Sequence, residues 1–293
     1  MPIKSQHLSY WLVLAMFLWG AGWPALKLLT PNLSLEVISF WRFLIMSITF
    51  IPVLIYIKKP IVLQKSALPF IVGSAVLNVA FMVFAFLGVK YGSAGSGGVI
   101  ITTISPILTF LIISVLTKTA LPSQQLFGLL LGFVGGAIMF QINHINLSSF
   151  FSGAEFYFLL CALAWTGVTI LAQHSQVHIN PIHYSFFIAI IATSILFVFA
   201  LPYDISAVFD EGVVFWSALL YLGVFGQTLA TTIYYIASGK LGSSKTSTYM
   251  YLVPIFALVM SYILLGEKIE LHIVGGGAIS LIALYLIQKK AKS

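Results

Sequence analysis

The sequence predicts an all-α integral membrane protein: ten transmembrane helices arranged as an inverted 5+5 repeat. Three observations predict it. First, 60% of the 293 residues are hydrophobic and only 7% are charged, whereas a soluble domain carries roughly 25% charged residues and needs them to cover its surface. Second, the chain divides into ten apolar runs, each near the roughly 20 residues that cross a bilayer as a helix. Third, features of the first five runs recur in the second five at a nearly constant spacing.

The runs are 8–28, 35–57, 67–89, 94–116, 123–141, 153–173, 181–201, 213–236, 243–265 and 270–288. They are called spans 1 to 10 below. The gaps between them are short and hold nearly all the charge, so no soluble domain fits. Span 1 follows Lys4 as a signal sequence would. However, Trp19, Trp23 and Pro24 stand where small residues should mark a cleavage site, so it is expected to be retained. The net charge of +7 does not point to nucleic acid, because the basic residues lie between the runs and form no stripe. Cys161 is the only cysteine, which excludes an intrachain disulfide and a cysteine-based metal cluster.

Lysine asymmetry predicts the orientation. With the N-terminus in the cytoplasm, that side holds Lys4, Lys58, Lys59, Lys65, Lys118, Lys240, Lys245, Lys289, Lys290 and Lys292. The outer side holds only Lys27, Lys90 and Lys268. Both termini are therefore expected inside.

The repeat rests on matched positions. Trp19-Gly20 in span 1 matches Trp165 near Gly167 in span 6, with the two tryptophans 146 residues apart. Ser39-Phe40-Trp41 meets Ser185-Phe186-Phe187 at the same offset. At 148 residues Phe86 meets Tyr234, Pro106 meets Pro254 and Gly128 meets Gly276. The expected units are 1–143 and 144–293. Each holds an odd number of spans, so the second enters the membrane from the opposite side. Inverted repeats of this kind let two halves exchange inward-open and outward-open shapes around a site near the midplane.

The sequence resembles the ten-helix EamA-domain carriers of the drug/metabolite transporter superfamily. The resemblance is carried by Trp19-Gly20 and Lys27 in span 1, Arg42 in span 2, Pro106 in span 4, Ala164-Trp165 in span 6, Pro254 with Gly266-Glu267 in span 9, and Gly275-Gly276-Gly277 in span 10. It covers essentially the whole chain. It implies export or exchange of small metabolites, often amino acids, through a cavity lined by spans 1, 3, 4, 6, 8 and 9. It also implies a bacterial inner membrane and a monomer or homodimer, and calls for no cofactor. One departure is Thr119 beside Lys118, at the end of span 4 where the second half has Glu267; a mechanism needing a symmetric acidic pair does not fit.

Polar groups in lipid must be hydrogen-bonded or face a cavity, so intramembrane polar residues are the informative ones. The expected solute-binding residues are Trp19, Trp23, Asn78, Phe81, Met82, Phe86, Thr102, Trp165, Thr169, Gln227, Tyr234 and Tyr249. An indole supplies an apolar wall and one donor, and Trp19 and Trp23 share a helix face. Asn78 is either the polar handle of a pocket or a helix–helix tie. Tyr234 and Tyr235 line a pocket or belong to the aromatic belt of the interface. Thr102, Thr103 and Ser105 precede Pro106, and Tyr249 and Tyr251 precede Pro254. Each proline is either a hinge that exposes carbonyls or a kink satisfied by neighbours. Pro24, Pro106, Pro254 and Arg42 are read as hinge or structural residues. Arg42, about 10 Å inside span 2 by helical rise, is read as snorkelling or carbonyl-capping; the alternative is an anchor for an anionic group. Gly128, Gly132, Gly135 and Gly136, with Gly275 to Gly277, are read as tight-packing faces. His174, His178 and His183 are assigned to the loop between spans 6 and 7, with no metal site.

All seven acidic residues, Glu36, Glu155, Asp204, Asp210, Glu211, Glu267 and Glu270, lie at or beyond span ends. No buried acid is therefore expected to drive transport. No Walker, GxSxG or HExxH pattern occurs. The expected function is a secondary transporter of a small metabolite working by alternating access. The alternatives are an integral membrane enzyme or lipid-handling protein, and a structural or receptor role.

Overall fold

A computed structural model describes residues 5–29, 33–91, 94–139, 141, 153–266, 268 and 271–289. Lys4, Lys290, Lys292, Glu267 and Glu270 fall outside these residues. Spans 1 to 7 are the helices Ser5–Leu29, Leu35–Ile57, Leu68–Tyr91, Ala94–Thr117, Ser123–Met139, Ala154–Ser175 and Pro181–Ala200. Span 8 covers Val213–Leu241, span 9 Ser243–Leu265 and span 10 Leu271–Gln288. Among the described residues nine of these are long and apolar enough to cross a bilayer, with mean hydropathy from 1.6 to 2.5. Span 5 has 17 residues. That is about 26 Å of helix, slightly less than a typical hydrocarbon core.

Local sequence sets the span ends. Ser34 accepts from Val37 N to start span 2, and Asn180 accepts from Ile182 N at 2.9 Å to start span 7, with Pro181 in the first turn. Gly266 ends span 9 in the left-handed region at φ +66°, a conformation glycine adopts at little steric cost. The assigned histidine loop is corrected: His174 lies in the last turn of span 6, and His183 is buried in the first turn of span 7.

The helices pack as two exchanged copies. Span 3 packs on span 6, and its mate span 8 packs on span 1. Span 4 lies on span 6 as span 9 lies on span 1, and span 2 meets span 8 as span 7 meets span 3. Spans 2 and 7 cross each other, as do spans 5 and 10. Ser47 and Thr193, 146 residues apart, share a 3.1 Å hydrogen bond where spans 2 and 7 cross. Spans 5 and 10 approach closely because glycine faces glycine: a Cβ on Gly135 would sit 2.7 Å from Gly276 O and 2.5 Å from Ser280 Oγ. With five spans per half, the second copy is inverted.

The exchange fails at one end of the bundle. Spans 6, 7 and 8 come together where span 6 ends and span 7 begins. Among the described residues, their mates 1, 2 and 3 have no comparable packing at the opposite end. The closed end carries Lys118, Lys240 and Lys245, and at the other end Lys27 and Lys90 are exposed.

The two halves also differ in backbone. Span 3 is a regular helix, whereas span 8 contains ten residues of π-helix, Tyr221–Ala230. Span 4 runs unbroken through Pro106, whereas span 9 contains a 3₁₀ segment, Thr248–Leu252, and resumes as α-helix at Val253. Pro254 is therefore no kink inside a helix. It occupies the first turn of a new one, where its missing N–H costs nothing.

Candidate functional site

The repeat mates Trp19 and Trp165 meet at the centre of the bundle, with ring centroids 5.1 Å apart and planes at 81°. Tyr234 of span 8 lies 5.1 Å from Trp19 and 5.7 Å from Trp165, and Phe81 of span 3 lies 5.6 Å from Trp165. Four helices thus contribute one ring each to an aromatic cage. Edge-to-face contacts of this geometry add stability beyond area burial. Span 1 reaches the cage because Gly20 lets it press against span 9; a Cβ there would sit 2.5 Å from Phe256 Cβ.

The polar atoms of the cage are fixed unequally. Thr169 Oγ1 donates to Trp165 O at 2.8 Å, which leaves it as acceptor for the Tyr234 hydroxyl at 3.1 Å. Met250 Sδ lies 3.6 Å from the same hydroxyl. Trp19 Nε1 donates to Gly226 O at 3.1 Å. That carbonyl lies in the π-helix and also accepts from Thr231 Oγ1 at 3.2 Å, five residues on. Stretches of π-helix occur frequently at functional sites, because they turn backbone groups away from the regular ladder. Trp165 Nε1 is buried and meets no acceptor in good hydrogen-bonding geometry, although the Tyr234 hydroxyl is near enough to interact with it. A buried unpaired donor costs free energy, so the cage holds one donor in reserve. Gly226 is buried, yet a Cβ there would meet nothing within 4 Å, which marks open space beside the cage. Gln227, 7% exposed, follows it directly.

The other expected binding residues are distributed differently. Asn78, one turn from Phe81, donates to Ser74 O at 2.8 Å and to Tyr235 Oη at 3.2 Å, so its amide ties span 3 to span 8. Tyr184 of span 7 joins this network through Ser74 at 2.5 Å and packs on Tyr235. Tyr234 and Tyr235 are fully buried, which corrects the belt alternative. Met82 and Phe86 belong to a second apolar cluster on the side of spans 2 and 7. Trp23 lies over Gly98, whose Cβ would approach its ring to 3.0 Å. Thr102 donates to its own helix at Gly98 O, while Ser105 and Thr166 join spans 4 and 6 through Ala162 O and Ser105 O. Tyr249 bonds Ser9 Oγ at 2.9 Å, near the start of span 1. Pro24 and Pro106 lie inside continuous helices. Arg42 makes no carbonyl cap: its Nε is buried without a partner, and no hydrogen bond of its side chain occurs among the described residues. That corrects the capping role.

Several residues absent from the expected set matter to the geometry. Gln173 Oε1 accepts from Ser243 N at 2.6 Å, and Gln176 Nε2 donates to Tyr235 O. Gln176 fits because position 239 is glycine. These two glutamines stitch span 6 to spans 8 and 9 at the closed end. Their only sequence signal was their position at the end of span 6, Gln173 in its last turn and Gln176 just beyond it. A cavity of about 480 Å³ lies outside this stitch, lined by Ser114, Gln125, Gln173, Ser243, Lys245 and Lys289 among others. Gln173 is eight residues beyond Trp165, about 12 Å along span 6. Among the described residues no three His, Cys, Asp or Glu side chains gather as a metal site would require.

Two inverted five-helix copies closing on a central cage define an inverted-repeat membrane transporter fold, and the comparisons with known proteins agree. The EamA-like transporter family matches this chain twice, over residues 8–141 and 152–288, and the chain belongs to that family. A WAT1-related chloroplast protein of Arabidopsis thaliana is 25% identical over 94% of this chain and 68% of its own length. An uncharacterized transporter of Synechocystis sp. is 28% identical over 95% of this chain and 89% of its own. The uncharacterized transporter YoaV of Bacillus subtilis is 23% identical over 88% and 89%. A solved crystal structure superposes with a TM-score of 0.79 over 97% of both chains at 13% identity, a likeness of fold alone. The protein is a multi-pass membrane transporter of the drug/metabolite transporter type.

Proposed function

We propose that the protein moves a small metabolite, an amino acid or a related amphipathic solute, by export or exchange across a bacterial inner membrane, with both termini cytoplasmic. The observation that supports this reading most is the placement of the repeat mates Trp19 and Trp165 against each other, with an unused Trp165 donor and open space beside Gly226. An aromatic cage with one free N–H suits a solute that is largely apolar and carries one acceptor. The packing asymmetry supports alternating access. If spans 1, 2 and 3 came together as spans 6, 7 and 8 do, and the latter parted, the cage would face the other side. With the lysine-rich end inside, the structure corresponds to the outward-open form.

Binding and gating on this reading use no titrating group in the membrane. Glu36, half-buried at the start of span 2, accepts from Tyr203 at 3.4 Å, and Glu155 lies in the first turn of span 6. Uniport or exchange is therefore expected. Uptake and efflux in proteoliposomes with a panel of amino acids and related metabolites tests the function, and flux of none of them defeats it. Flux should be indifferent to an imposed pH gradient. Gradient-driven flux that Glu155→Gln or Glu36→Gln abolishes would refute the coupling.

A further inference from the structure

We propose that Arg42, with Ser39 one turn earlier on the same face of span 2, is an oxyanion-binding site, so that the transported solute carries a carboxylate. This rests on the transporter reading and names the chemistry of its cargo. Four observations support it.

The first is an uncompensated charge. Arg42 is the only lysine or arginine more than one turn inside a span, and every acidic residue lies at or beyond a span end. Glu36, six residues away, is engaged by Tyr203. Among the described residues Arg42 has no ion pair and no hydrogen bond, and its Nε is buried. A guanidinium in this setting is costly unless an anion or a set of acceptors meets it. The second is a matching donor. Ser39 is fully buried, and its Oγ has no partner. Residues three apart share a helix face, so two orphan donors stand together. Its repeat mate, Ser185, differs in donating to Pro181 O.

The third is enclosure. Every residue from Val37 to Ser47 is buried or half-buried, whereas the later part of span 2, around Ile48, Ile51, Ile55 and Tyr56, is exposed. Arg42 therefore sits where the helix is wrapped by protein, and snorkelling along a lipid-facing surface does not account for it. The fourth is proximity to the cage. Gly223 of the π-helix lies against Ile45 and the Arg42 carbonyl, its Cβ position 2.5 and 3.3 Å from them. Gly226, next on the same stretch, carries the Trp19 hydrogen bond and the open space. Among the described residues spans 2 and 3 pack on each other less than their mates 7 and 8 do. A carboxylate held by Arg42 and Ser39 would leave the rest of the solute to reach toward the aromatic rings.

The test measures binding and flux separately on the full-length protein. Melting temperature in detergent is recorded with L-phenylalanine, L-leucine, benzoate and lactate, each beside its neutral or cationic amide. At least one acid should raise the wild-type melting temperature while its amide does not. Arg42→Gln should weaken that acid about tenfold or more, the loss expected for a charge-assisted hydrogen bond. Arg42→Lys should retain part of the affinity, and Ser39→Ala should lose a smaller part. Amides that bind as well as acids, no acid recognised by wild type, or unchanged acid affinity in Arg42→Gln would each overturn the proposal. If Arg42→Gln does not fold, Arg42→Lys and Ser39→Ala decide: a purely structural pair leaves the acid-to-amide preference where it was. Proteoliposome flux keeps the two ideas apart. An acid that binds through Arg42 but is never transported sinks the carrier and spares the site; transport of amides alone does the reverse.

Discussion

The two mouths of the bundle are built from matching helices and yet differ. At the lysine-rich mouth spans 6, 7 and 8 are in contact, and Gln173 and Gln176 join span 6 to Ser243 and Tyr235. At the other mouth the mates of these spans have no comparable packing among the described residues, and Lys27, the repeat mate of Gln173, is exposed. The remaining helix contacts are nearly symmetric. The difference sets one mouth apart from the other within one architecture, and it locates the contacts special to the lysine-rich mouth in a few polar groups. The tryptophan mates differ in the same sense: Trp19 Nε1 is bonded to the π-helix, while Trp165 Nε1 meets no acceptor in good geometry.

The largest expected effect breaks the cage that both mouths share. Trp165→Ala removes a buried ring packed on three others and should lower stability by about 3–5 kcal/mol. Thermal unfolding in detergent measures it, and a loss under 1 kcal/mol would mean that the rings are not packed as described. Next, Gly239→Leu places a side chain where Gln176 lies and should cost about 1–3 kcal/mol. It should also hold the lysine-rich mouth open, which thiol labelling of a cysteine introduced at Ser244 would read as faster reaction. Unchanged labelling would show that the stitch is not a closure.

A smaller effect separates the two tryptophans. Trp19→Phe loses the bond to Gly226 O, worth about 1 kcal/mol. Trp165→Phe loses no hydrogen bond and should cost less, yet should reduce solute flux if the free N–H serves the solute. Equal stability losses would erase the distinction. The smallest concerns the loop between spans 7 and 8. Asp204 starts the turn Ile205–Asp210 by accepting from Ser206 Oγ at 2.6 Å and Ser206 N at 2.9 Å, bonds that lower its pKa. A depressed carboxylate stabilises the fold above its unfolded pKa, near 3.9, and that contribution is lost as pH falls through the lower folded value. The turn also holds Trp41 through Ile205 O at 3.0 Å. Trp41 emission should therefore change in acid below about pH 4 and change less in Asp204→Asn. An identical acid response in both would remove Asp204 as the cause.

Much of the fold was legible. Apolar runs of the right length, odd in number per half, give the topology directly, because lipid forces each run into a helix. Matched tryptophans gave the repeat, and the structure adds that the mates touch. The irregular backbone was not legible: two glycines between Tyr221 and Ala230 do not by themselves call for a π-helix, and the distant groups that meet it are span 2 at Gly223 and the Trp19 indole at Gly226 O. Asn78 and Tyr235 were legible as polar groups but not as partners of each other, since they are 157 residues apart. Arg42 stood out by its charge, but only its surroundings show that no carbonyl meets it.

The sequence by itself determined the solvent, the number of spans and their duplication, because each depends on the transfer of whole helices into lipid. Which mouth is shut, which indole is bonded and where the backbone loosens were decided by tertiary structure. Those outcomes turn on contacts between residues far apart in the chain, which no local pattern of the sequence records.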